Sequence, residues 1–394
     1  MLTSIAIILL LGLLVGWLFA KIKLPSLLGM ILVGIVLSPH CLDLVDKSIL
    51  AISADLRQIA LVIILTRAGL SLNLADLKKV GRPAILMCFV PACVEMLGTI
   101  LFAPLLLGVS VLEAAIMGSV MAAVSPAVIV PRMIKLMDEE YGTSKSIPQM
   151  ILAGASVDDV FVIVVFTALT TLAATGEVSP SSFLQIPVSI LLGILLGGMV
   201  GMSLVWFFKK NHMRDSVKVI IIISISFLLL ELQNKLEGIV PISGLLAIMS
   251  MGIVMNQKYN VLAKRLSVKY NKLWLGAEIF LFVLVGIAVD LRYAVAAGPV
   301  VVLLVVLALV FRMSGVAMSL MKTDLNKKER VFCAIAYTPK ATVQAAIGTI
   351  PLSMGLACGE IVLTVAVLAI LVTAPFGAIC VDNLYKKLLV CKEK

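Results

Sequence analysis

Long apolar runs separated by short polar intervals account for most of this chain. In order they lie at roughly 3–20, 25–38, 55–73, 83–108, 112–136, 148–174, 183–208, 216–234, 241–256, 273–290, 296–321, 330–353 and 358–385. There are about 13 of them, most close to the ~20 residues that cross a bilayer as a helix. The pattern predicts an all-α polytopic membrane protein whose connections leave no room for a soluble domain.

Basic residues fall between the runs and alternate by side. Lys21 and Lys23, then Lys78, Lys79 and Arg82, share a side with Arg132, Lys135 and Lys145. Lys209–Lys218, Lys258–Lys272, Lys322–Arg330 and the Lys386–Lys394 tail follow on that side, while the opposite loops hold only Lys47, Arg57, Lys235 and Arg292. The positive-inside rule then places the N-terminus outside and the C-terminus in the cytoplasm, and an odd number of spans agrees with termini on opposite sides. A bacterial-type cytoplasmic membrane is the expected location. The N-terminus has no basic segment before its apolar run, so the first span reads as a retained helix.

The chain also repeats itself. Leu24-Pro25-Ser26-Leu27-Leu28 matches Val240-Pro241-Ile242-Ser243-Gly244-Leu245-Leu246, and Ala68-Gly69-Leu70 matches Val285-Gly286-Ile287. Arg82-Pro83 matches Gly298-Pro299, and Val124-Ser125-Pro126-Ala127 matches Tyr337-Thr338-Pro339-Lys340. The offsets, by subtraction, are about 216, 217, 216 and 213 residues. Seven spans separate equivalent elements, so the two halves have opposite orientation, as in secondary transporters. Residues 1–175 form the first inverted six-helix repeat, 183–208 the linking helix and 215–388 the second repeat.

Composition narrows the class. The 394 residues are 61% hydrophobic and 14% charged, with a formal net charge of +10. That charge sits in loops between apolar spans, where it reads as orientation and lipid contact, with anionic lipid at the cytoplasmic face, and not as nucleic-acid binding. The seven cysteines show no zinc or redox spacing.

Against this background Asp158 and Asp159 stand out, two adjacent acids inside an apolar span. A charge near the bilayer centre costs several kcal/mol, and neighbouring acids disfavour each other's ionisation. Such a pair calls for a proton, a metal cation or a fixed positive charge. Being consecutive on a helix, the two point about 100° apart: one can bind a cation while the other meets a fixed base. Prolines break the equivalent spans at Ser125-Pro126 and Thr338-Pro339, and symmetric discontinuous helices point to a transporter's binding site. Crossed there, they would expose carbonyls, with Val124 at the first break. Together with the Ser125 and Thr338 hydroxyls these are hard-oxygen ligands for a small cation. Lys340 would neutralise negative helix ends. Glu95 and Arg312 lie mid-span at nearly equivalent positions, and a Glu95–Arg312 pair with Asp158 as a further acceptor would relieve their burial. Asp158 shifted by 213 falls at Leu371, so only the first half carries the acid pair and one ion site per chain is expected. His40 and His212 lie in loops and supply no assignable pH sensor.

Thr66-Arg67-Ala68-Gly69-Leu70, Ala122–Val128, Ser156-Val157-Asp158-Asp159 and Thr338–Ala346 together resemble the NHA-type branch of the sodium/proton antiporters, in the monovalent cation/proton antiporter superfamily. The resemblance covers essentially the whole chain. It implies a homodimer with a dimerisation domain (about 1–50 and 183–260) and a core ion-transport domain (about 55–175 and 272–388) that moves elevator-like against it. It implies no enzyme activity and no cofactor, with Na⁺ (or Li⁺) and H⁺ as the transported ions. Asp159 would be the main cation and proton carrier, with Asp158 assisting and contacting the base on the eleventh span. Electrogenic relatives carry lysine at that base, where this chain has Arg312. Arginine does not deprotonate in proteins, which favours one-for-one electroneutral exchange. The other readings are a K⁺/H⁺ antiporter, a Na⁺-coupled symporter for an organic solute, an intramembrane aspartyl protease and a passive channel. A protease needs two facing aspartates, which adjacent residues on one helix do not provide.

Overall fold

The computed structural model describes residues 1–71, 81–174, 180–236, 240 and 242–391. Lys78 and Lys79, the end of the third apolar run, Pro241 of the repeat motif, and Lys392 and Lys394 of the tail lie outside the described residues. Helices make up nearly all of the described chain. In order they are α1 (Leu2–Lys21), α2 (Ser26–Leu37), α3 (Lys47–Ala51), α4 (Ser53–Ser71), α5 (Arg82–Met87), α6 (Val90–Leu107), α7 (Val111–Met121), α8 (Pro126–Asp138) and α9 (Ile147–Ala174). Then come α10 (Pro180–Lys210), α11 (Asp215–Lys235), α12 (Gly244–Lys258), α13 (Asn260–Ala288), α14 (Leu291–Ser319), α15 (Lys327–Ala336), α16 (Thr342–Ile347), α17 (Ile350–Ser353) and α18 (Gly359–Leu388). Among the described residues, eight helical stretches are long and apolar enough to cross a membrane. The chain is a multi-pass integral membrane protein.

Packing divides the chain into two compact units. One comprises Met1–Ala54, Ala75–Val162 and Leu281–Lys394, the other Asp55–Leu74 and Ile163–Phe280. In the second, α10 lies along α12 with Gly193, Gly197 and Gly201 at the contact. A Cβ on Gly193 would come within 2.7 Å of the Ser243 carbonyl, and one on Gly201 within 2.8 Å of the Met251 carbonyl. Small residues four apart let two backbones approach this closely where water provides no driving force.

In the first unit, α6 and α14 run antiparallel. A Cβ on Gly98 would meet the Phe311 ring at 2.6 Å, and one on Gly315 would meet Pro91 Cα at 2.7 Å. These two close contacts bracket Glu95 and Arg312, so the helix spacing that glycine permits also sets the reach of that pair.

Each broken span begins the same way. Ser110 and Glu113 cap α7 reciprocally, with Glu113 N donating to Ser110 Oγ at 3.3 Å and Ser110 N to Glu113 Oε2 at 2.7 Å. Asn326 and Glu329 cap α15 in the same way, at 2.9 and 2.7 Å. Both capping boxes satisfy orphan N–H groups of a first turn, and both residue pairs differ by 216, the offset of the repeat.

Two boundaries differ from the sequence reading. The run 83–108 is two helices, α5 and α6, parted at Cys88 and Phe89 ahead of Pro91. The basic stretch Lys258–Lys272, read as a loop, is mostly the start of α13. Leu262, Leu266, Tyr270 and Trp274 are buried at helical spacing while Lys264, Arg265, Lys269 and Lys272 stay exposed. Charge density had interrupted the apolar run without interrupting the helix. Arg132, inside the run 112–136, lies within α8 and forks onto Asp382 of α18 at 3.1 and 2.9 Å.

Candidate ion-binding site

Both proline-marked spans are discontinuous. Between α7 and α8 residues 122–125 leave the helix, Ala122 keeping helical dihedrals and Ser125 extended, with Pro126 opening the next helix. Between α15 and α16 residues 337–341 leave the helix around Pro339. The segments cross in contact: Ser125 N donates to Pro339 O at 2.8 Å.

The end of α7 would leave its last carbonyls without partners. Donors from the second half take three of them in succession. Lys340 Nζ donates to Met121 O at 2.5 Å, Arg312 Nη1 to Ala122 O, and Gln344 Nε2 to Ala123 O at 2.6 Å. Lys340 therefore sits where negative helix-end charge was expected to need it. Those three carbonyls face donors, so they do not contribute to a cation shell in this arrangement.

Four of the singled-out charges form one fully buried network. Arg312 Nη1 pairs with Glu95 Oε2 at 2.8 Å and Nη2 with Asp158 Oδ2 at 3.0 Å, while Nε donates to Tyr337 O at 2.5 Å. The Tyr337 ring lies under the guanidinium, 5.5 Å from its carbon. Lys340 Nζ reaches Glu95 Oε1 at 2.6 Å, a pairing the sequence reading did not include. Arginine's planar fork suits this geometry, since each terminal nitrogen serves a different carboxylate. Removing one member of such a buried set typically costs about 3–5 kcal/mol.

Asp158 Oδ2 also accepts from Val124 N at 2.8 Å. The second half has a counterpart: Lys340 N donates to Thr373 Oγ1 of α18 at 3.0 Å. Val124 and Lys340 differ by 216 and Asp158 and Thr373 by 215, so the geometric equivalent of Asp158 is Thr373 and not Leu371. The local offset of 213, taken from the proline motifs, slipped by two residues. In both halves a side-chain oxygen of the following helix holds the break; it is an acid in one and a neutral hydroxyl in the other.

Asp158 is fully buried and Asp159 partly exposed. Ser125 Oγ, Asp158 Oδ1 and Asp159 Oδ1, all buried, have no protein partner. They are the hard-oxygen type a small monovalent cation takes. The Thr338 hydroxyl instead donates to Ile335 O at 2.8 Å, turned into the helix it ends. Val124 contributes its N–H to Asp158.

Tyr337 and Gln344 lie within the motifs, and the sequence assigns neither a role. A neutral amide at the third position of a short half-helix was the only signal for Gln344. Its Oε1 accepts from Ala341 N at 2.8 Å.

A family model described as "Sodium/hydrogen exchanger, transmembrane" matches residues 6–386. Sodium/hydrogen exchanger 9B2 of Mus musculus is 31% identical over 398 residues, covering 96% of this chain and 72% of that protein. Sodium/hydrogen exchanger 9B2 of Homo sapiens is 30% identical, with 93% and 70% covered. Sodium/hydrogen exchanger 9B1 of Homo sapiens is 29% identical, with 93% and 73% covered. Among solved structures, the sodium proton antiporter MjNhaP1 from Methanocaldococcus jannaschii at pH 8 superposes with a TM-score of 0.85 at 19% identity, over 98% of each chain.

Proposed function

The chain belongs to the transmembrane sodium/hydrogen exchanger family, within the monovalent cation/proton antiporter superfamily, and from that premise we propose how it exchanges Na⁺ for H⁺. The observation that carries the proposal is a charge count. Glu95, Asp158 and Asp159 set three carboxylates against two bases, Arg312 and Lys340, leaving one uncompensated negative charge in the core. One Na⁺ (or Li⁺) or one H⁺ neutralises it, and both together would not fit the count. The two ions therefore compete. Crossing the membrane interior is cheap only for the neutral state, because an uncompensated buried charge is costly.

Asp159 is the carrier in this reading. It adjoins the network, is the more exposed of the two acids, and has an oxygen without a partner. Asp158 commits Oδ2 to Arg312 and Val124 and keeps Oδ1 for the cation, with Ser125 Oγ as a further ligand. Arg312 cannot give up its proton at working pH, which supports one Na⁺ per H⁺. Alternating access follows from movement of a core domain (about 55–175 and 272–388) against a dimerisation domain (about 1–50 and 183–260) in a homodimer. We place the N-terminus outside and the C-terminus in the cytoplasm, on the distribution of lysine and arginine.

The test is the apparent KM for Na⁺ against pH in proteoliposomes. Competition predicts a KM that rises about tenfold per pH unit on the acid side while the maximal rate holds. A KM independent of pH would overturn the competition, and a rate that follows an imposed membrane potential would overturn the one-for-one count.

A further inference from the structure

We infer that Gln344 is a positioning residue for cation binding: its amide locks the single peptide that orients Asp158. The inference rests on the reading of Asp158 and Asp159 as the cation pair. The carbonyl of Ala123 and the N–H of Val124 belong to one planar peptide unit, so they point to opposite sides. On one side Gln344 Nε2 donates to Ala123 O at 2.6 Å; on the other Val124 N donates to Asp158 Oδ2 at 2.8 Å. The amide cannot be turned over, because Ala123 O requires a donor and Ala341 N, 2.8 Å from Gln344 Oε1, requires an acceptor. Gln344 is fully buried.

The consequence reaches the ion through geometry alone. With Val124 N and Arg312 Nη2 both on Oδ2, the Asp158 carboxylate has one rotational setting, and Oδ1 is the oxygen left without a protein partner. Without the amide, the peptide loses its hold at the carbonyl edge. Rotated, it would turn a carbonyl toward a carboxylate, so the fixed setting of Asp158 is lost and Oδ1 leaves its place. Gln344 stands in the second half of the chain and the peptide in the first. The lock thus ties cation affinity to the crossing of the two broken helices.

The experiment measures Na⁺ KM and kcat in proteoliposomes at alkaline pH, where proton competition is weakest, for two neutral variants, Gln344→Met and Gln344→Asn. Met removes both contacts, whereas Asn, one methylene shorter, keeps the amide but cannot reach Ala341 N and Ala123 O together. Both are expected to raise KM about tenfold or more, the scale of one hydrogen bond to a charged group, with kcat within about threefold of wild type. A merely structural role would lower the amount of folded protein or kcat and leave KM alone. Wild-type KM in Gln344→Asn overturns the inference, and that variant decides alone if Gln344→Met does not fold. Asp159→Asn run in parallel separates the two levels. Full exchange by Asp159→Asn would overturn the underlying reading, whereas its loss beside an unchanged KM in both Gln344 variants overturns only the lock.

Discussion

Replacing Glu95 with Gln tests the charge count without touching any of the proposed cation ligands. Glutamine keeps the volume and one acceptor but removes the charge that Arg312 and Lys340 meet at 2.8 and 2.6 Å. Glu95 and Asp158 occupy two nitrogens of one guanidinium, at 2.8 and 3.0 Å. A cation on Asp158 Oδ1 therefore lies about 8 Å from the lost charge, and at an effective dielectric of about 20 the lost attraction is about 2 kcal/mol. That is a factor of ~30 in affinity. Na⁺ and H⁺ feel the same loss. At alkaline pH, where KM follows Na⁺ affinity itself, KM should rise ~30-fold. At acid pH, KM follows the ratio of the two affinities, so variant and wild type should converge. Adding Lys340→Met removes the opposing charge and should return the alkaline KM toward wild type, as a double-mutant cycle requires of coupled groups. The assay is Na⁺-dependent dissipation of a pH gradient in proteoliposomes at both pH extremes. An unchanged alkaline KM, or the same ratio at both extremes, would refute the count.

Two further substitutions separate stability from transport. Gly154 is the α9 residue one turn before Asp158, and a Cβ there would collide with Tyr337 Oη and lie 3.1 Å from Met87 Cβ. Gly154→Ala should cost about 1–3 kcal/mol by overpacking and raise Na⁺ KM through the Tyr337 carbonyl that Arg312 Nε contacts; a thermal midpoint and KM both at wild-type values would contradict this. Asn326→Ala removes the α15 cap and should cost about 1 kcal/mol, read as a lower thermal midpoint, with KM unchanged; an altered KM would mean the cap reaches the ion site.

Much of the site was legible because membrane burial makes charge conspicuous. Glu95, Asp158 and Arg312 are charges inside apolar runs, and each had to find an opposite partner. The two proline motifs marked the breaks, since a missing N–H interrupts a helix wherever it falls. What stayed hidden were interactions with no such signature. The Lys340–Glu95 pair was obscured because Lys340 already had a role at the helix end, and the structure gives it both. Gln344 is neutral, so nothing in an apolar run distinguishes a structural amide from one that orients a site. Thr373 was missed because a motif-based offset can slip by two residues, and only the shared hydrogen bond places it opposite Asp158. The start of α13 was misread for the opposite reason: exposed lysines broke the apolar run while the buried stripe continued beneath them.

The central claim, that Na⁺ and H⁺ take turns at Asp159, is tested most directly by Asp159→Asn in proteoliposomes. The asparagine keeps size and polarity and cannot carry the charge for which the two ions compete. With wild-type folding verified by thermal midpoint, Na⁺ should fail to dissipate an imposed pH gradient at any pH; full Na⁺-driven proton movement in that variant would contradict the account.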